Sequence, residues 1–461
     1  MSWVLQHPFP ATQWASAGGL LAWAFLFALP WPLSAAVRRR WGLGAGLLAL
    51  LAVHLGVEGL LSRGPWAFPW ALLGHALSEV PIVRHLAALG GVSLLSAWVA
   101  GVNGAVAGLW TGRVSRNGSL LVLAGLLVAG LGAGRGTAST FSSPASKQAL
   151  LLQPGTVPTT WADVDDRSRV AHLQSLTTAA LDTLSTPPDL IVWPETALPV
   201  LPPAAQNALT RSVQVWIDAV GVPLVTGGIA QQPSAPNLAA SPNTPYRNRA
   251  WFFQPARADS TASGDPPSPR TYDKHHLVPF AERVPGIDAV PGLRALRVPA
   301  GGVPGYQRGQ GPVVWDTPLG PASPMICFES VVLPYALEAA RAGADLFVTV
   351  AQTGWWRPGA GPAQHLAFTR LTAIATGRPL LLATVQGPST LLHPDGSSTP
   401  PSEFGAEAAV RVDVPQTATP TPFLRIGDVV FAGAAFLSGG FLLALGGRVL
   451  RERRGWTAPP D

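Results

Sequence analysis

Four long apolar stretches open the chain, at 16–37, 41–61, 85–110 and 118–134, and a fifth lies near its far end at 424–447. A helix crosses a bilayer with about 20 mostly apolar residues, so each stretch is expected to be a transmembrane helix. Between them, from Lys147 to Val414, short apolar runs alternate with helical patterns and with loops rich in Pro, Gly and Ser. The runs at 149–153, 190–193, 223–229, 250–254, 324–328, 346–350, 379–385 and 409–412 predict strands. The patterns at 163–184, 204–219, 333–342 and 364–376 predict helices, and Asp163, Asp165 and Asp166 suit the positive end of the first. Strands alternating with helices imply an α/β domain. The chain therefore divides into membrane helices at 1–146, an α/β domain at 147–414, and a last helix with a basic tail at 415–461.

Composition supports this division. Hydrophobic residues make up 48% of the 461 positions and charged residues only 12%, about half the charged share of soluble domains. The basic residues are nearly all Arg, with only two Lys among 31, and form no stripe interleaved with aromatics, which excludes a nucleic-acid partner from the expectations. They read instead as topology. Arg38-Arg39-Arg40, the pair Arg113 and Arg116, and Arg448, Arg451, Arg453 and Arg454 should all stay on the cytoplasmic side. Four N-terminal spans satisfy this and deliver the central domain outside, whereas a further span at 65–78 would reverse it. Trp66-Ala-Phe-Pro-Trp70 is accordingly expected to be an interfacial or re-entrant piece on the outer side, with ordinary Trp anchoring as the alternative. Residues 1–17 lack the basic start of a cleavable signal, so the first apolar run is expected to be retained.

Three residues of the central domain combine into chemistry. Cys327 is the only cysteine, which precludes an intrachain disulfide, and it lies in the strand-like run Ser323-Pro-Met-Ile-Cys-Phe-Glu329. Lys274, one of the two lysines, lies in Tyr272-Asp-Lys-His-His-Leu-Val-Pro-Phe-Ala-Glu282, and Glu195 closes the apolar run Leu190-Ile-Val-Trp-Pro-Glu195. A thiol needs a base or a cation to be a nucleophile. Glu195 can take its proton, Cys327 can attack an ester carbonyl, and Lys274 can stabilise the oxyanion together with the backbone N–H of Phe328. That points to acyl transfer through a thioester. Each residue also has an ordinary reading, as a strand-end carboxylate in water, a solvated lysine or a core cysteine. Their coincidence weakens all three. Glu282 can orient the lysine or lie on a surface loop. Strand alternation would put Glu329 on the face of Cys327, where it can hold the site or the lysine. His275, His276 and His365 show no zinc-like spacing, so neither a metal nor a cofactor is expected.

These residues resemble the nitrilase superfamily, whose members share a Glu-Lys-Cys triad on an αββα sandwich, and within it the bacterial apolipoprotein N-acyltransferases. The resemblance covers the central domain, the flanking membrane segments and Phe68-Pro69-Trp70. Its most specific part is the lysine loop from Lys274 to Glu282, joined by Trp193-Pro194-Glu195, Cys327-Phe328-Glu329, Gly361-Pro-Ala-Gln-His365 and Gly377-Arg378-Pro379. Trp161 looks like a family tryptophan near the active site. The resemblance implies Glu195 as general base, Lys274 as oxyanion stabiliser and Cys327 as acyl carrier, with Glu282 and Glu329 in support. It implies a ping-pong reaction in which a phospholipid acyl chain passes to Cys327, then to the α-amino group of a diacylglyceryl-cysteine at a lipoprotein N-terminus. The expected location is the inner (cytoplasmic) membrane, multi-pass, with the catalytic domain outward. Three departures stand out: Phe328 replaces a usual Tyr, Gln352-Thr353 stands where Asn-Asp is common before the aromatic pair Trp355-Trp356, and Val385-Gln386-Gly387 replaces an Asn-rich turn. Trp355-Trp356 followed by Arg357-Pro-Gly-Ala-Gly361 reads as an aromatic lid at the lipid mouth, or as packing under a loop. The competing readings are a membrane-anchored amidase or nitrilase-type hydrolase, in which water resolves the thioester, and a non-catalytic membrane scaffold.

Overall fold

The structure, a computed structural model, describes residues 10–64, 66–112, 115–138, 146–155, 166–231, 246–256, 268–279, 281–283, 306–354, 356, 359–416 and 419–453. Four helices come first: α1 (Pro10–Ala28), α2 (Pro30–Leu61), α3 (Ala87–Thr111) and α4 (Arg116–Ala138). The long α2 is two legs. Gly42 leaves the helical region at φ 86°, and Ser34 Oγ donates to Gly46 O at 2.7 Å. In a straight helix those residues would stand about 18 Å apart, so the chain folds back near Gly42 and the 44-residue apolar run Gly18–Leu61 is bent into two legs. Arg84–Thr111 is long and apolar enough to cross a membrane, and Arg116–Gly132 is a shorter apolar helix. Gly112, at φ 63°, ends α3, and Trp98 Nε1 donates to Leu126 O at 3.1 Å, pairing α3 with α4.

Among its described residues, the segment between α2 and α3 holds two short 3-10 turns, Leu73–Leu77 and Arg84–Leu86, and none of the helices over 62–83 is long and apolar enough to cross a membrane. Trp66 is exposed, whereas Phe68 and Trp70 pack on Phe328 of the following domain.

The domain's elements follow in the order β1 (Ser146–Gln153), α5 (Asp166–Asp182), β2 (Leu190–Val192), β3 (Leu198–Leu201), α6 (Pro203–Val220), β4 (Leu224–Gln231), β5 (Tyr246–Phe253), β6 (Arg270–Asp273), β7 (Trp315–Thr317), β8 (Gly320–Ile326), α7 (Leu333–Arg341), β9 (Leu346–Ala351), α8 (Ala360–Thr376), β10 (Leu380–Thr384), β11 (Thr390–Leu392) and β12 (Ala408–Pro415). After them come α9 (Pro422–Ile426) and α10 (Val429–Arg453), whose Val429–Gly447 part is again apolar and long enough to cross a membrane. One sheet has the order β12-β1-β2-β4-β5-β6, with β3 beside β4, and the other β11-β10-β9-β8-β7.

Period-two alternation sets the layers. Leu151, Val192, Val225, Ala250 and Phe252 face the second sheet, while Leu150, Leu152, Ile191, Leu224 and Trp251 face α5 and α6 through Leu173, Val213 and Ile217. Every residue of β9 and β10 is buried, as in parallel strands covered on both faces. Helices α7 and α8 cover the outer face of the second sheet, completing an αββα sandwich. From Ala367 to Thr376, α8 is buried all round, because the sheet lies on one side and α3 with the 68–86 segment on the other.

The sequence expectations missed β3, β6, β7 and β11. They are short, and β6 is an edge strand of sequence Arg-Thr-Tyr-Asp with no apolar run to betray it. Helix α8 starts four residues before its expected start because Pro362 is tolerated in a first turn. The strand expected over 324–328 stops at Ile326. Cys327 has φ 52°, and Cys327–Val331 is a 3-10 turn.

Candidate active site

Strand ends of both sheets deliver the candidate residues to one rim. Glu195 follows β2, Lys274 follows β6, Cys327 follows β8 and Gln352 follows β9, all past carboxyl ends, where α/β sheets leave room for ligands. Glu195 and Lys274 are buried and Cys327 is partly so. Glu195 and Lys274 act electrostatically on each other and both act on Cys327, so the structure brings the three together.

Glu195 is fixed by donors from both sheets. Asn248 Nδ2 donates to its Oε1 at 2.6 Å and the Gln352 backbone N–H to its Oε2 at 2.7 Å. Burial raises its carboxyl above the ordinary range, against the lowering pull of Lys274. Gly227 of β4 permits the close approach: a Cβ there would stand 2.7 Å from Glu195 Cα and 3.0 Å from Val350 Cγ2. Lys274 Nζ donates to Glu282 Oε1 at 2.8 Å. Burial alone would lower its ammonium, but the carboxylates of Glu282 and Glu195 outweigh that and hold it above the usual lysine range. Glu282 is itself held by Asn248 Nδ2 at 3.1 Å and by the Val278 N–H at 2.8 Å. The Cys327 thiol is pushed far up by burial and by Glu195, so it rests protonated.

The left-handed backbone of Cys327 is a sharp strand-to-turn elbow, unusual for a non-glycine residue. Two side chains brace it. Ser330 Oγ donates to Cys327 O at 2.9 Å, and His365 Nε2 lies 3.3 Å from the same oxygen, where only a donor N–H is useful. Burial brings His365 down to about 4, so it is neutral.

Glu329 sits elsewhere than strand alternation implied. The elbow turns it beneath the site, where it accepts from Tyr272 OH at 2.6 Å and from the N–H groups of His275 at 2.7 Å, His276 at 3.0 Å and Ile326 at 2.8 Å. It therefore braces the backbone after Lys274 against that before Cys327, without pairing with the lysine. Burial pushes its carboxyl up to about 7, and Lys274 and its donors pull the other way. Neither His275 nor His276 joins a metal cluster, and no such cluster exists among the described residues.

Phe328, the residue after Cys327, forms an aromatic face with the N-terminal segment. Phe68 stacks on it at 5.6 Å and Trp70 at 6.5 Å. Trp356 lies 5.7 Å from Trp70 and 5.5 Å from His365. Trp161 and Trp355 lie outside the described residues. Sequence reasoning missed Asn248, Tyr272 and Tyr335, which backs Tyr272. Asn248 carried a signal: it shares a strand face with Ala250 and Phe252, and a polar residue on an inward apolar face needs a partner.

Sheets, helices and this rim together define a nitrilase-type αββα domain joined to apolar helices. A Carbon-nitrogen hydrolase model matches residues 154–419, and an Apolipoprotein N-acyltransferase N-terminal domain model matches residues 1–105. The apolipoprotein N-acyltransferase of Azotobacter vinelandii is 30% identical over 98% of this chain and 84% of its own length. That of Allorhizobium ampelinum is 31% identical over 78% of this chain, a match spanning 66% of the relative. A crystal structure of an amidase from Nesterenkonia sp. aligns with 64% of this chain and 98% of its own at 15% identity and a TM-score of 0.44. The chain belongs to the apolipoprotein N-acyltransferase family.

Proposed function

We propose that the protein transfers an acyl chain from a phospholipid, through a thioester on Cys327, to the α-amino group of a diacylglyceryl-cysteine at a lipoprotein N-terminus. The observation that carries this reading is the buried Lys274 ammonium between Glu195 and Glu282 beside the Cys327 elbow, at a face built partly by the N-terminal segment. Glu195 takes the thiol proton as sulfur attacks the ester carbonyl. The oxyanion is stabilised by Lys274 and the Phe328 N–H. Collapse breaks the ester C–O bond, and the departing lysophospholipid alcohol takes the proton from Glu195. The acceptor amine then attacks the thioester, Glu195 accepts an amine proton, the C–S bond breaks, and that proton returns to sulfur. Glu282 and Glu329 hold the lysine and the two backbones in register, and Trp161 contributes near the site as the family resemblance implies. Trp356, with Trp355, serves as a lid over the acyl chain.

The division into membrane helices at 1–146, a catalytic domain at 147–414 and a C-terminal span at 415–461 is supported by where the apolar helices fall. The arginines at the α2 turn, at the α3–α4 turn and after the apolar part of α10 favour a multi-pass inner-membrane protein with its catalytic domain outward.

Intact-protein mass spectrometry after incubation with phospholipid tests the reading. Wild type is expected to gain one acyl mass that hydroxylamine removes, and Cys327→Ala none. A folded wild type that gains no mass from any of several phospholipids overturns it and favours a hydrolase. Gly227→Ala provides a finer check, because its methyl must displace Glu195 or Val350. Acylation is expected to slow about tenfold to a hundredfold, since misplacements near 1 Å are that costly, while the far-ultraviolet circular dichroism stays that of wild type.

A further inference from the structure

Glu58 is the one acidic residue of α2, in its largely apolar second leg, and it is only 3% exposed. Ionisable groups in membrane helices are expensive and are generally retained for a task. Its Oε1 accepts the Leu73 N–H at 2.7 Å and lies 3.3 Å from His54 Nε2. Its Oε2 is buried without a hydrogen-bond partner, and it lines a small cavity with Pro69, Leu72, His75 and Val331. His75 Nδ1 is likewise buried and without a hydrogen-bond partner.

What Glu58 holds is the base of the segment that faces the nucleophile. Phe68 N–H donates to Leu61 O at 2.7 Å, so both ends of the 68–73 loop are clamped to the last turns of α2, one through a carbonyl and the other through Glu58. Beyond Leu73, the Gly74 N–H donates to Ser96 Oγ at 2.8 Å and the His75 ring lies 3.9 Å from that of Phe368. Within the loop, Trp70 Nε1 donates to Gln364 Oε1 at 2.9 Å, and Phe68 and Trp70 stack on Phe328. The path from membrane helix to nucleophile is thus Glu58, Leu73, the 68–70 aromatics, Phe328, Cys327.

We propose that Glu58 is a positioning residue: from inside the helical layer it fixes the Phe68-Pro69-Trp70 loop against Phe328 and so sets the apolar wall beside Cys327. The proposal rests on the acyl-transfer reading for its consequence, since a lipid chain needs that wall and a small electrophile does not. Removing the clamp leaves the Leu73 N–H without its acceptor and loosens the loop, whereas the catalytic carboxylates, held by Asn248, Gln352 and Val278, stay in place.

The test uses full-length protein carrying Glu58→Leu or Glu58→Gln, with three readouts: Cys327 acylation by phospholipid, Cys327 alkylation by iodoacetamide, and hydrogen exchange of peptides covering 68–77. Glu58→Leu is expected to slow acylation about tenfold or more, leave alkylation within about twofold of wild type, and speed exchange over 68–77. Glu58→Gln keeps an oxygen acceptor for Leu73 and should stay within about threefold of wild type in all three. Wild-type acylation in Glu58→Leu, or equal loss of acylation and alkylation, overturns the proposal. So does a glutamine variant as impaired as the leucine one. If wild type itself is not acylated, the acyl-transfer reading has failed, and the exchange arm decides positioning alone: unchanged protection over 68–77 in Glu58→Leu overturns it.

Discussion

Lys274→Met is expected to cost both turnover and stability, because the lysine has two tasks that separate cleanly on paper. Its ammonium is the buried cation nearest the developing oxyanion in the proposed reaction, and removing one such donor typically costs about 10²–10³ in rate. It is also the cation that Glu282 and Glu195 share. Taking it away leaves two acids facing each other in a buried site, a change that costs about 3–5 kcal/mol when one partner of a buried pair is lost. Acylation rate and thermal unfolding followed by tryptophan fluorescence check the two parts. A variant as stable as wild type would mean that the buried Lys274–Glu282 pair does not stabilise the fold. Lys274→Met combined with Glu282→Leu should recover part of the stability without activity, since it removes one of the two facing acids and leaves the oxyanion unassisted.

Glu195→Gln should abolish the acid limb of the pH profile along with most of the rate. In the proposed reaction Glu195 must be ionised to take the thiol proton, and burial raises its carboxyl. The sign follows directly: wild-type acylation climbs as pH rises through that raised value, so its acid limb lies above the ordinary carboxylate range. An amide cannot titrate, so the variant's residual rate should be flat there, lower by about 10²–10⁴ as for a lost general base. An unchanged acid limb in Glu195→Gln would assign it to another group. Glu329, pushed up to about 7, is the nearest candidate, and Glu329→Gln would then remove the limb instead.

The sequence makes the three candidate residues Glu195, Lys274 and Cys327 visible for simple reasons. A sole cysteine, one of two lysines and an acid ending an apolar run are rare enough in this composition to be found by type alone. Glu329 was also found, but its place was misjudged, because period-two alternation was carried past Ile326, where the left-handed Cys327 ends the strand. Trp66-Ala-Phe-Pro-Trp70 reads in sequence as an interfacial or re-entrant piece, whereas the packing of Phe68 and Trp70 on Phe328 joins residues about 260 positions apart and leaves no periodic trace.

By itself the sequence determined the membrane stretches, the α/β texture and the residue types of the site, since hydrophobic period, composition and rare functional groups are local properties. Tertiary structure alone decided that Asn248 reaches Glu195 and Glu282 together, that α2 doubles back at Gly42, and that Glu58 grips Leu73. Those facts depend on which buried donor meets which acceptor once two sheets and a helical layer close on one another. A buried polar group must find its partner somewhere, but the one-dimensional pattern only says that it needs one.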